Sequence, residues 1–149
     1  MSAPDSDSQI PIARHFGGAL KLAQHALRTR LDEALRPIGL TTPQCAVLSA
    51  LEREPGLSNA ALARAAFVTP QTMQSILANM ERNGLVTREA APDHGRILRS
   101  FITARGRKAL MQAHTAILDV EAVVIDAVGE REAERLTEAL TRCAELLSK

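Results

Sequence analysis

Residues 57–103, LSNAALARAAFVTPQTMQSILANMERNGLVTREAAPDHGRILRSFIT, leave few folds open, because two short helical patterns precede an extended run, a basic Gly-containing turn and a second extended run. Ser58 is an N-cap candidate, and Leu57, Ala61, Leu62 and Ala65 then recur at helical spacing. Phe67 and Val68 follow without strong turn chemistry. Thr69-Pro70 supplies a fresh start, a capping hydroxyl ahead of a proline whose missing N–H costs nothing in a first turn. Met73, Ile76, Leu77 and Met80 make one apolar stripe of this second helix, with Thr72, Gln74, Ser75 and Asn79 on its other side. Gly84 falls where a helix commonly ends in a left-handed residue, and Leu85-Val86-Thr87 reads as a short strand. The Ala-rich first helix lets the second cross it closely. This order predicts a winged helix-turn-helix.

Charge is distributed to match. The chain holds 18 basic and 17 acidic side chains, a formal +1 that by itself points to no polyanion. Residues 58–108 carry Arg64, Arg82, Arg88, Arg96, Arg99, Arg105, Arg107 and Lys108 against Glu81, Glu89 and Asp93, so this segment is +5 and the remainder −4. An acidic body bearing a basic module suits a protein that turns one face to phosphates.

The side chains of the second helix fit a groove. Gln71, Thr72, Gln74, Ser75 and Asn79 both donate and accept hydrogen bonds, as reading base edges requires, and Gln and Asn suit adenine. Thr69 with Pro70 at the helix start, and Ser58 on the preceding helix, are candidates for holding phosphates. In the wing, Asp93-His94-Gly95-Arg96 supplies turn formers, and Arg96 near the tip suits a narrow minor groove.

In layout the chain resembles the MarR family of bacterial transcriptional regulators, from about Ile12 to Leu147. The resemblance rests on the Gly39-Leu40-Thr41 to Gln44 lead-in, the VTPQTMQSILANMERNGLVTR segment, and the wing from Asp93 through Arg96 and Arg99 to Thr103 and Gly106. It implies a homodimer joined through terminal helices, double-stranded DNA as partner, and an anionic or phenolic effector that releases DNA. Arg96 and Arg99 match the arginines of the family's D-x-R-x-x-R wing pattern. His94 stands at its aspartate position, with Asp93 one residue earlier, so the Asp–Arg brace is not carried over.

The flanks explain the rest of the length. Residues 1–9 read as a flexible polar tail. Residues 10–40 and 104–149 form a helical dimerisation region, and 41–103 the DNA-binding unit. Ile12, Phe16, Leu20, Ala23, Leu27, Leu31 and Leu35 make one stripe, ended by Pro37 and Gly39; Thr42-Pro43 starts the next helix, with Val47, Leu48 and Leu51 inward. Thr103 caps a long helix with Leu110, Ala113, Ile117, Val120, Val124 and Val128, Gly129 breaks it, and Leu136, Leu140, Cys143 and Leu147 line the last. A second copy would bury these stripes; packing on one another within a monomer is the alternative. The expected fold is thus mainly α with a small antiparallel β wing. With only 2% aromatic residues, Leu, Ala, Val and Ile must fill its core.

Other features exclude more than they assign. No apolar run suits a membrane span and no secretion signal opens the chain, so a cytoplasmic protein is expected. Cys45 and Cys143 form neither a disulfide framework nor, with the four histidines, a metal site, and no cofactor is indicated. By resemblance, His15 and Phe16 fall where many MarR-like dimers have a small-molecule cavity, and Cys45 joins them as a ligand-binding candidate and is the candidate oxidant sensor; ordinary packing and an inert buried thiol are the plainer readings. No nucleophile elbow or phosphate loop occurs, so an enzyme is not expected. The remaining competitor is a winged-helix protein-interaction module without DNA binding, which calls for an apolar rather than polar exposed face on the second helix.

Overall fold

The computed structural model describes residues 14–148. Its elements run α1 (Phe16–Leu35), a 3-10 turn (Arg36–Ile38), α2 (Thr42–Arg53), β1 (Leu57–Ser58), α3 (Asn59–Ala65), α4 (Pro70–Arg82), β2 (Val86–Ala91), β3 (His94–Ile102), α5 (Ala104–Val128) and α6 (Glu130–Leu147). The tail expected at 1–9, and Ile12 at the head of the first stripe, lie outside the described residues.

Four helices begin on a hydroxyl. Thr41, Ser58, Thr69 and Thr103 each accept a backbone N–H from three residues ahead, and at Thr41 the Gln44 side chain completes a reciprocal capping box. Each such cap stabilises its helix by about 1 kcal/mol. α1 starts at His15 without a side-chain cap.

The core gathers where α2, α3, α4 and the early turns of α5 meet. Leu35, Val47, Leu48, Leu51, Leu62, Met73, Leu77, Met80, Val86, Leu110 and Ala113 are buried there, with Ile76 and Ile117 partly so. No phenylalanine takes part, so branched aliphatic and methionine side chains supply the packing, as the composition requires.

The sheet has three strands rather than the two of a simple wing, in the order β1-β3-β2, all antiparallel. Leu57, read above as the first residue of a helical stripe, is a strand residue. It pairs with Ser100, and Ser58 with Arg99. An N-cap has extended backbone, here φ −77° and ψ 164° at Ser58, so the residue that caps α3 also closes a ladder. The wing tip also differs from expectation. It turns at Pro92-Asp93, and β3 has already begun at His94. Ala91 pairs with His94 while Ala90 pairs with Leu98, which leaves Gly95, Arg96 and Ile97 bulged from the ladder.

The terminal helices are sparsely covered. α6 packs on α5 and contains no buried residue. Fourteen of the seventeen exposed large apolar side chains among the described residues lie on α1, α5 or α6, among them Phe16, Leu20, Val124, Leu136, Leu140 and Leu147. No helix among the described residues is long and apolar enough to cross a membrane.

Candidate nucleic-acid interface

α4 is an amphipathic helix with its position set from three sides. Met73, Leu77 and Met80 anchor it in the core. At its N-terminus Asn59 Nδ2 donates to the Pro70 carbonyl at 3.0 Å, which ties the starts of α3 and α4 together. Along its flank the buried Gln44 does two jobs. Its Oε1 accepts from Thr41 N–H at 3.0 Å, and its Nε2 donates to Asn79 Oδ1 at 3.1 Å. Neither Gln44 nor Asn59 was singled out for orienting α4 in the sequence, where nothing local marks their partners.

The face opposite the anchor is polar and open. Gln71, Thr72, Gln74 and Ser75 are all exposed and adjoin one another on the first two turns of α4. Asn79 departs from the group. It is half-buried, and its Oδ1 also accepts from Asn83 Nδ2 at 3.1 Å, so its carbonyl end is spent on bracing. The two hydroxyls considered for phosphates serve as caps: Ser58 Oγ accepts from Ala61 N–H at 3.3 Å, and Thr69 Oγ1 accepts from Thr72 N–H at 3.1 Å while donating to Thr72 Oγ1 at 2.9 Å. Pro70 is exposed as the first helical residue, where its lack of a donor is harmless.

Not every cation of the basic segment is available. Arg88 Nε and Nη2 both reach Glu81 Oε2, at 3.0 and 2.7 Å, which pins β2 to α4. Arg107 pairs with Glu52 at 3.3 Å. Among the described residues Arg64, Arg82, Arg96, Arg99, Arg105 and Lys108 enter no ion pair. Arg96 stands in the bulge at the wing's end, exposed, with no ion pair to Asp93. Arg99 lies farther back, opposite Ser58, and its Nη1 donates to the Gly56 carbonyl at 3.4 Å. Helix α4 and the wing therefore offer two separate contact elements, one rich in hydrogen-bonding amides and one carrying a cation.

The three residues considered for a small ligand do not converge within one chain. Cys45 is 5% exposed in the first turn of α2, and burial pushes its thiol up to about 11, away from the thiolate that oxidation chemistry needs. Thr42, in that same turn, donates to Asp32 on α1 at 2.8 Å. Phe16 lies sixteen residues before Asp32 on α1, about 24 Å at the helical rise, and is exposed, as is His15. Nearer to Cys45 an open hollow is lined by Arg28, Asp32, Arg36, Leu40, Thr41 and Pro43.

Comparison with known proteins gives one consistent result. A model described as MarR family matches residues 38–97. The HTH-type transcriptional repressor Rv2887 of Mycobacterium tuberculosis is 41% identical over 117 residues, covering 76% of this chain and 84% of that protein. The structure is similar to that of the M. tuberculosis MarR family protein Rv2887 in complex with salicylic acid, with TM-score 0.71, 37% identity and coverage of 89% of this chain and 98% of that one. It also matches the fold of the transcriptional repressor CouR bound to a 23-mer DNA duplex, with TM-score 0.83, 24% identity and coverage of 92% and 99%.

Proposed function

The chain belongs to the MarR family, and from that membership we propose that it binds a palindromic operator in double-stranded DNA as a homodimer and represses transcription. The observation that carries this reading is the exposed row Gln71, Thr72, Gln74 and Ser75, held on an anchored helix beside a wing that carries Arg96. An interaction module would favour an apolar face on α4, and that face is polar. The family is one of transcriptional regulators, so no catalytic role is assigned, and a cytoplasmic location follows from where an operator is found.

Each element has its own part in the binding. The amides of Gln71 and Gln74 read base edges in the major groove, and Arg96 lies along the minor groove or its phosphates. Two copies of α4 related by a two-fold axis address half-sites about 34 Å apart. The dimer is formed by 10–40 and 104–149, whose exposed apolar stripes it covers, and 41–103 reads DNA. Because a relative was solved with salicylic acid bound, a small anionic or phenolic compound is the effector class. It releases DNA if it binds more tightly to a dimer whose reading helices are wrongly spaced. With Cys45 in the core, only His15 and Phe16 of the three candidates remain open to such a ligand, in a site completed by the second copy.

Two substitutions separate specificity from simple attraction. Gln71→Ala or Gln74→Ala is expected to reduce discrimination between operator and random DNA by about 1–3 kcal/mol, the worth of a bidentate base contact, with random-DNA binding changed far less. Competition binding at one salt concentration measures it, and an unchanged operator-to-random ratio in both variants would remove α4 as the reading helix. Arg96→Ala should weaken binding to both kinds of DNA and lower the salt-dependence slope by roughly one. Its fold and dimer should be unaffected, because Arg96 is exposed and unpaired. Equal affinity across several salt concentrations would take Arg96 off the contact surface.

A further inference from the structure

Three segments of this chain end in the same left-handed closure, in which two backbone N–H groups past the end turn back onto its carbonyls. After the 3-10 turn, Gly39 N–H donates to Arg36 O at 3.0 Å and Leu40 N–H to Leu35 O at 3.4 Å. After α4, Gly84 N–H donates to Glu81 O at 3.0 Å and Leu85 N–H to Met80 O at 2.9 Å. After α3, Phe67 N–H donates to Arg64 O at 3.3 Å and Val68 N–H to Ala63 O at 3.0 Å. The pivots have φ +78°, +70° and +54°. Glycine occupies the first and second of these, where the conformation is free of strain. Phenylalanine occupies the third, the only non-glycine residue with positive φ among the described residues.

The phenyl ring does nothing within the chain to offset that strain. Phe67 is 97% exposed, the most exposed large apolar side chain among the described residues. Its place in the fold is specific. It stands in the turn of the helix-turn-helix, between Arg64 on the last turn of α3 and Thr69, which caps α4. Apart from the terminal helices, the exposed large apolar side chains among the described residues are Phe67 here and Ile97 and Leu98 on the wing. Phe67 thus shortly precedes the reading helix, and Ile97 and Leu98 lie on the wing.

We infer that Phe67 is a DNA-contacting residue, its ring packing on the apolar deoxyribose face of the backbone at the edge of the major groove entered by α4. A reading helix that enters the groove by its N-terminal residues brings the preceding turn against the sugar–phosphate rim. Arg64, exposed on the last turn of α3 with its carbonyl bonded to Phe67 N–H, meets the phosphates there, and the ring covers the sugar carbons between them. Burial of an exposed aromatic against the duplex supplies affinity without charge, so the contact is insensitive to salt. This rests on the DNA-binding reading above and adds a contact that no hydrogen-bonding pattern identifies.

The test uses the full-length protein and a duplex enriched by the parent protein from a random-sequence pool. Phe67→Gly and Phe67→Asn both accept the left-handed backbone, and the second keeps the turn stiffer. Relief of strain should raise the Tm of each by about 2–4 °C. At the same time affinity for the duplex should fall about tenfold, with the slope of binding against salt unchanged. That combination, a more stable protein with weaker binding and the parent's salt slope, supports the inference. Variants that are more stable and bind within about twofold of the parent overturn it while leaving the DNA-binding reading intact. A parent protein that enriches no duplex overturns both.

Discussion

Gly106→Ala is expected to lower stability by about 3 kcal/mol or more, with Tm falling by roughly 6–12 °C. The sign runs against the usual rule, since Ala replacing Gly in a helix ordinarily stabilises by about 0.5–1 kcal/mol. A methyl group here would collide with the Leu85 carbonyl oxygen and lie 2.9 Å from Ile102 Cγ1. Backbone cannot swing aside as a side chain would. Leu85 O already accepts from Thr103 N–H at 3.1 Å, the Thr103 hydroxyl donates to Gly84 O at 2.6 Å, and its oxygen in turn takes Gly106 N–H at 3.0 Å. Relieving the collision means lifting the start of α5 off the Gly84-Leu85 segment that leads into β2 and breaking those bonds together. Thermal denaturation checks the size. Gly95→Ala is the control, because nothing lies within 4 Å of the added carbon and no comparable loss is expected. A Gly106→Ala protein as stable as the parent would mean that the first turn of α5 does not sit against the Leu85 carbonyl.

The parts legible in the sequence were those whose cause lies within a few residues. Ser58, Thr69 and Thr103 mark helix starts because a cap bonds to an N–H three positions on. The α4 stripe shows because its period is that of the helix itself. The parts that were hidden depend on distant partners. β1 has two residues, and its pairing with Arg99 and Ser100 is invisible from Leu57 and Ser58 alone. Asn79 looked like a base reader because it shares a face with Gln74 and Ser75, yet its partner Gln44 stands 35 positions away. The wing tip is obscured because the turn formers cluster at Asp93 to Arg96, whereas Pro92, with φ already near a turn value, makes the turn one residue sooner. Phe67 shows no turn chemistry in the sequence because a left-handed closure is normally announced by glycine. His15 and Phe16 are a different case, since both are exposed at the start of α1 and no cavity within one protomer gathers them among the described residues.

The second large effect concerns that copy. Replacing Leu140 and Leu147 together with glutamate should give monomers or insoluble chain, and operator affinity should fall by orders of magnitude. Leu140 is 43% and Leu147 82% exposed in one protomer, on a helix with no buried residue of its own. An 18-residue helix held on one side only is marginal in water, so its apolar stripe calls for a partner surface. Full burial of a leucine stabilises by about 1.5–3 kcal/mol, and covering what Leu140 and Leu147 leave exposed on two protomers amounts to about 2.5 leucines, which places roughly 4–8 kcal/mol at stake. That is a third to two thirds of the free energy of a nanomolar dimer, about 12 kcal/mol. The consequence for DNA is steep because the two-fold arrangement links two half-site contacts into one event, and a monomer keeps only one of them. Sedimentation and operator binding on the same samples decide the matter. A soluble, folded monomer that kept the parent's operator affinity would show that α6 is not what brings the two reading helices together.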